Sequence, residues 1–238
     1  MIDFHSHMLP SIDDGSSSVE ESLQMLQTSA QQGVQQICLT SHFYAAENSP
    51  EHFLERRQWA YIKLCEALKE CTFDVPQLYL GAEVHYFEGI HRLKQLPSLM
   101  LEGTNILLLE MPFTQWSKRM IVDVLELQES GQVCVMLAHV ERYLRMQDKS
   151  VWDKLLRAGV VMQSNAGFFL KWTTRRRALQ MLREGRIHVL ASDSHNMHSR
   201  PPRMEEAWNT IRKSLGEDAL RRLEHREQKL LQSKVNTL

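Results

Sequence analysis

The first fifteen residues place two imidazoles and three carboxylates close together. Asp3-Phe4-His5-Ser6-His7 is followed, after a short gap, by Asp13-Asp14-Gly15. Residues two apart on a strand share a face, so His5 and His7 point the same way, as two ligands of one metal would. Gly15 permits a tight turn that swings a carboxylate over them. Asp13 and Asp14 can both fill that role; Asp14 is preferred. Near the other end of the chain, Asp193-Ser194-His195 repeats the two-residue spacing, and His42, Glu83, Glu110 and His139 lie between. A lone His-x-His is equally well a strand end with two exposed histidines. The recurrence of ligand-type residues at other strand ends decides against that.

The elements that must position these residues are apolar runs, each ending where one of the candidates begins. Ile2 to His7 is the first. Val34 to Thr40 leads to His42, Gln77 to Gly81 to Glu83, and Ile106 to Leu109 to Glu110. Val133 to Ala138 leads to His139, Gly159 to Gln163 to Ser164-Asn165, and Ile187 to Ala191 to Asp193 and His195. Helical stretches separate most of them, beginning with a capping box at Ser17 or Ser18 and including a long helix opened by Pro50. Nearly continuous apolar strands alternating with helices indicate a parallel sheet buried on both faces. Seven such units predict a closed or nearly closed β/α barrel, whose active site lies at the C-terminal strand ends. A chain of 238 residues fits one such domain, spanning residues 1–238. From about Glu217 onward the sequence is highly charged, and a solvated terminal helix that frays at its end is expected.

A carboxylate beside a core strand, as in Ile-Leu-Leu-Leu-Glu110, costs several kcal/mol if unpaired. The loops supply few basic partners for so many. The nine candidates His5, His7, Asp14, His42, Glu83, Glu110, His139, Asp193 and His195 are all imidazole or carboxylate. That set suits Mn, Zn or Fe ions bridged by carboxylates rather than a structural thiolate site. Nine donors exceed the needs of one ion and suffice for two or three.

Composition excludes several classes. The net charge of -1 gives no reason to expect nucleic acid or an anionic membrane as partner. Cys38, Cys65, Cys71 and Cys134 form no CxxC pair and read as free thiols of a reducing compartment. No apolar run approaches the roughly 18 residues of a membrane helix, and no signal peptide pattern opens the chain. A cytoplasmic protein without membrane insertion is expected.

In the order D-x-H-x-H, D-D-G, S-H, G-A-E, E-M-P-F, H-V-E-R, N-A-G and S-D-x-H-N with S-R-P-P, the chain from Met1 to about Trp208 resembles the PHP (polymerase and histidinol phosphatase) family. It resembles more closely the bacterial tyrosine-protein phosphatases encoded with capsule and exopolysaccharide synthesis genes. The resemblance implies a distorted, TIM-like seven-stranded barrel holding three metal ions, usually manganese. By analogy His5, His7, Glu83 and Asp193 would hold one ion. Glu83, Glu110 and His139 would hold a second, and Asp14, His42 and His195 a third.

Such ions lower the pKa of bound water to roughly 7 and hold phosphoryl oxygens for in-line attack, with no cysteine nucleophile. Phosphoryl transfer also wants guanidinium on the non-bridging oxygens. Arg142, three residues beyond His139, and Arg200, five beyond His195, are so placed. Both match arginines that bind substrate phosphate in the phosphatases resembled. Aromatics follow several strand ends (Phe43, Tyr44, Tyr86, Phe87, Phe113, Trp116, Phe168 and Phe169), and some would stack on a phosphotyrosine ring. His85, His91 and His188 carry no assigned role, and His198 is a minor candidate for proton transfer. The expected activity is hydrolysis of phosphotyrosine. The resemblance implies as substrate the C-terminal tail of a bacterial tyrosine autokinase that controls polysaccharide export. The alternatives are a small-molecule phosphomonoesterase, such as a histidinol-phosphate hydrolase, and a non-catalytic metal-binding scaffold.

Overall fold

A computed structural model describes residues 1–232. Among the described residues nine strand segments, all paired in parallel, make the sheet: β1 (Ile2–Ser6), β2 (Gln36–Leu39), β3 (His42–Phe43), β4 (Gln77–Leu80), β5 (Glu83–His85), β6 (Ile106–Glu110), β7 (Cys134–Leu137), β8 (Val161–Asn165) and β9 (Val189–Ala191). They form two ladders, β1-β2-β4 and β3-β5-β6-β7-β8-β9. The count of seven strands is therefore corrected: two of the seven passes are each broken into a pair.

A close packing contact accompanies the break between β4 and β5. At Gly81 the chain passes so close to Leu101 that a Cβ would sit 2.5 Å from Leu101 Cδ2. Gly81 N still donates to Leu39 O at 3.0 Å, but Glu83 N turns to the carbonyls of Thr40 and Ser41, both at 3.1 Å. The interruption starts a new ladder in which His42 pairs with Glu83 and Glu83 with Leu108. Two candidate ligands thus enter the sheet side by side. The seam between first and last strands also closes, because Asp193 N donates to His5 O and His7 N to Ser194 O, each at 2.9 Å. The sheet curls into a distorted barrel.

Side chains alternate across this sheet, as two buried faces require. On β6, Leu107 and Leu109 join the large core shared with the outer helices, while Ile106 and Leu108 join a smaller cluster with Phe4, Cys38, Met136 and Ala191. Three of the longer helices start at side-chain caps. Ser18 accepts from Glu21 N ahead of Val19–Gln31, Ser49 from His52 N ahead of Pro50–Leu68, and Ser117 from Met120 N ahead of Lys118–Glu129.

The terminal helix departs from expectation. Glu217–Leu231 is not simply solvated: Leu220, Leu223, Glu227 and Leu231 are buried along one stripe. Glu227 Oε1 accepts from Leu190 N at 3.1 Å, tying the helix to β9. Residues 233–238, where fraying was expected, lie outside the described residues.

Candidate metal centre

The strand ends deliver the nine candidates in three overlapping groups. His5 Nε2 lies 2.9 Å from His7 Nε2, 3.1 Å from Glu83 Oε2 and 3.6 Å from Asp193 Oδ1. His139 Nε2 lies 2.8 Å from Glu83 Oε1 and 3.5 Å from Glu110 Oε1. Asp14 Oδ1 stands 3.3 Å from His42 Nε2 and 3.4 Å from His195 Nε2. Glu83 is the hub, since its Oε2 also lies 3.3 Å from His7 Nε2 and 3.0 Å from His42 Nδ1. Except for Asp14 and His42, all nine are buried.

This arrangement fits divalent cations. Two basic nitrogens in contact at full burial repel unless a proton or a cation stands with them. Glu83 Oε2 lies close to three imidazole nitrogens and His195 Nε2 close to Asp14 Oδ1, yet neither buried atom is aligned for a hydrogen bond. Short distances without hydrogen-bond alignment are what donors around a shared ion show.

The loop after β1 separates the two aspartates. Asp13 is buried behind the cluster, where its Oδ2 accepts from His7 Nδ1 at 2.8 Å and from His42 N at 2.9 Å. Asp14 is largely exposed and offers its Oδ1 to the front, toward His42 and His195. Gly15 is required at this point: a Cβ there would meet His7 O at 2.2 Å. Two candidates carry left-handed backbone, His139 at φ 33° and Asp193 at φ 51°. Such conformations cost about 1–3 kcal/mol in non-glycine residues and persist where surrounding contacts over-determine them. Here they turn the chain sharply as it leaves β7 and β9.

Electrostatics follow from the crowding. Burial alone would lower His7, but Asp13 and Glu83 more than offset it and hold its pKa at about 10. Burial is likewise outweighed at His139, held at about 9 by Glu110 and Glu83. Glu110 stays ionised down to about 2, because His139 and His85 overcome its burial. His195 falls to about 3 through burial and the neighbouring His7 charge. The cluster is thus a set of ionised carboxylates neutralised by imidazole protons, which metal ions would displace.

Both arginines reach the edge of this cluster. Arg142 Nη2 lies 2.5 Å from Asp193 Oδ2 and Arg200 Nη2 2.7 Å from Asp193 Oδ1, each side chain about one third exposed at 35% and 36%. Three residues that sequence reasoning left aside also belong here. His85 Nδ1 stands 2.9 Å from Glu110 Oε2, and its spacing of two from Glu83 on β5 was the available signal. Gln163 Oε1 accepts from His139 N at 2.7 Å and lies 3.3 Å from His5 Nδ1. Asn165 donates to Asp193 Oδ2 at 2.6 Å. The remaining histidines lie apart. His188 Nδ1 accepts from Met162 N, and exposed His198 sits near Glu21.

With this geometry in view, the comparisons with known proteins are specific. The family model for capsular polysaccharide synthesis proteins of the CpsB/CapC type matches residues 1–232. The chain belongs to this family. Among CpsB/CapC relatives, the tyrosine-protein phosphatase CpsB of Streptococcus agalactiae is 30% identical over 239 residues, 94% of each chain. CpsB of Streptococcus pneumoniae is 31% identical over 228 residues, 91% of each. A chain from the crystal structures of Bacillus subtilis YwqE and S. pneumoniae CpsB, described as unique metal-dependent tyrosine phosphatases, matches with a TM-score of 0.83 at 24% identity, over 98% of this chain and 95% of that one. At that identity the match speaks for the fold.

Proposed function

We propose that this CpsB/CapC chain is a metal-dependent phosphatase that hydrolyses phosphotyrosine, the 1–238 chain working as one PHP domain in the cytoplasm. The observation that carries the reading is the Glu83-centred cluster of buried donors with two guanidiniums at its edge. The relatives' activity selects phosphotyrosine among phosphate esters. His5, His7, Glu83 and Asp193 would hold one ion, Glu83, Glu110 and His139 a second, and Asp14, His42 and His195 a third. Manganese is the proposed metal; the donor set also accepts iron or zinc. When bound, such ions supply hydroxide near neutral pH and neutralise phosphoryl oxygens.

The chain's own groups do the rest. Each arginine anchors one nitrogen on Asp193 and keeps its other N–H donors for the non-bridging oxygens, a match suited to the guanidinium fork. Asp13 fixes the His7 ring from behind, so that Nε2 faces the cluster. Gln163 does the same for the backbone of His139. No thiolate takes part: burial raises the Cys38 thiol far above neutrality, and among the described residues no cluster of candidate metal ligands includes a cysteine. Among the described residues no helix is long and apolar enough to cross a membrane. The proposed substrate is the C-terminal tyrosine tail of a bacterial tyrosine kinase governing polysaccharide export.

The test compares turnover of a phosphotyrosine peptide with that of histidinol phosphate, both with added manganese. The reading expects peptide turnover that chelator abolishes and that His42→Ala and Arg142→Ala each lose. Faster turnover of histidinol phosphate would favour the small-molecule phosphatase. Metal binding without turnover of either would favour the scaffold.

A further inference from the structure

The aromatics that follow the strand ends divide sharply by position. Phe43 packs edge-on against Phe53 in the core, and Tyr86 is buried with its hydroxyl donating to Asp123 at 2.6 Å. Trp116 is wedged between Tyr143 and Trp152, and Phe168 and Phe169 are buried. These hold up the top of the barrel. Phe113 and Tyr44 instead touch the candidate metal centre.

The two stand at opposite ends of one run of rings. From Tyr44 the centroids step 5.2 Å to His42, 4.5 Å to His7, 5.0 Å to His5, 5.7 Å to His139 and 6.0 Å to Phe113. Both guanidiniums rest on Asp193, and Arg142 also reaches the Phe113 end, its guanidinium carbon 5.9 Å from the ring centroid. Phe113 lies nearly parallel to His139 and Tyr143, at 23° to each. It remains 47% exposed. An apolar ring stacked on two neighbours and still half exposed offers surface to a second ring.

We infer that Phe113 selects the leaving group: the phenyl ring of an aryl phosphate lies against its exposed surface while Arg142 holds the phosphate. This rests on the phosphatase reading above and deepens it. In an aryl ester one oxygen joins ring to phosphorus, so a phosphate held by Arg142 brings its ring within reach of Phe113. An alkyl phosphate of similar charge gains nothing from that surface. Phe113 is therefore a specificity residue, and aryl esters are preferred because of where it stands.

The test uses the manganese-loaded protein with two small esters, phenyl phosphate and glycerol 2-phosphate, and a phosphotyrosine peptide. Phe113→Ala should raise KM for phenyl phosphate and for the peptide by about three- to tenfold, the worth of one aromatic pair. KM for glycerol 2-phosphate should stay within about twofold, and Phe113→Trp should restore the aryl value. Phe113 is half exposed, so neither variant empties the core. Equal changes for aryl and alkyl esters, or no change for either, would overturn the inference while leaving the phosphatase reading intact. Wild-type protein that binds manganese but hydrolyses none of the three substrates would overturn both.

Discussion

His5 and His7 present their Nε2 atoms to each other across 2.9 Å, with both rings wholly buried. With no cation present a proton must sit there, and His7 keeps one up to a pH of about 10. Manganese added to chelated protein at pH 7 should therefore release protons into solution as it binds. It should also raise the melting temperature. At a hundredfold excess over Kd the gain is about 2.7 kcal/mol, or roughly 5–10 °C for a chain of this size. Differential scanning fluorimetry with a pH-indicator titration reads both. An unchanged melting temperature with no proton release would mean that the donors hold no metal.

Asp13 and Asp14 are neighbours with different surroundings, and substitution should tell them apart. Asp14 faces the ring nitrogens of His42 and His195, so Asp14→Asn should lower the amount of metal bound at saturation. Asp13 orients His7 from behind, so Asp13→Asn should keep the saturating amount but weaken affinity by about 10–100-fold. Metal content by mass spectrometry, taken across a titration, separates the two. If Asp13→Asn removed bound metal and Asp14→Asn did not, the roles would be reversed.

That pair also marks where the sequence stops being informative. Polar residues closing apolar runs announced His42, Glu83, Glu110 and His139 directly, because a charge beside a core strand needs a reason to be there. Adjacent aspartates in a loop carry no periodicity, and only the course of the chain around Gly15 sends one behind His7 and the other in front. The broken second and third passes were equally hidden. The close approach of Gly81 to Leu101 that accompanies the break in the third pass lies between residues twenty apart, and no local pattern records it. The terminal helix was misread for another reason. Its stripe of Leu220, Leu223 and Leu231 was visible, but the surrounding charge masked it, and a glutamate occupies the stripe at Glu227.

Glu227 gives that helix a dependence on pH. Complete burial raises its carboxyl from 4.5 to about 8, against the lowering effect of the Leu190 amide, with Glu224 and Asp3 adding to the rise. Between those values the folded protein holds a proton that the unfolded chain has lost. The stability linked to this group is thus fully present below about 4.5 and lost as pH rises through 8. Glu227→Gln keeps an Oε1 acceptor for Leu190 N and has no charge to bury. With metal held at saturation, the variant should melt close to wild type at pH 5 and several degrees higher at pH 9. Parallel melting curves across that range would show that Glu227 titrates as an ordinary surface carboxylate.

Of the glycines, Gly15 leaves least room for a side chain. A Cβ there would lie 2.2 Å from His7 O, 2.5 Å from His7 Cβ and 2.9 Å from Asp13 Oδ1. The two nearest are a backbone oxygen and a Cβ, which cannot swing aside, and His7 O already accepts from Ser16 N at 2.9 Å. Relief must move either His7 or the loop that carries both aspartates. Gly15→Ala should therefore cost about 1–3 kcal/mol of stability, as overpacking does, and weaken metal binding along with it. Gly167 is the control, since a Cβ there meets nothing within 4 Å and its backbone is helical. Alanine at that position should leave stability and metal content unchanged or slightly improved. Calorimetric melting with metal analysis of both variants decides the matter. A Gly15→Ala protein that binds manganese like the wild type would show that the turn, however tight, does not set the positions of His7 and Asp14.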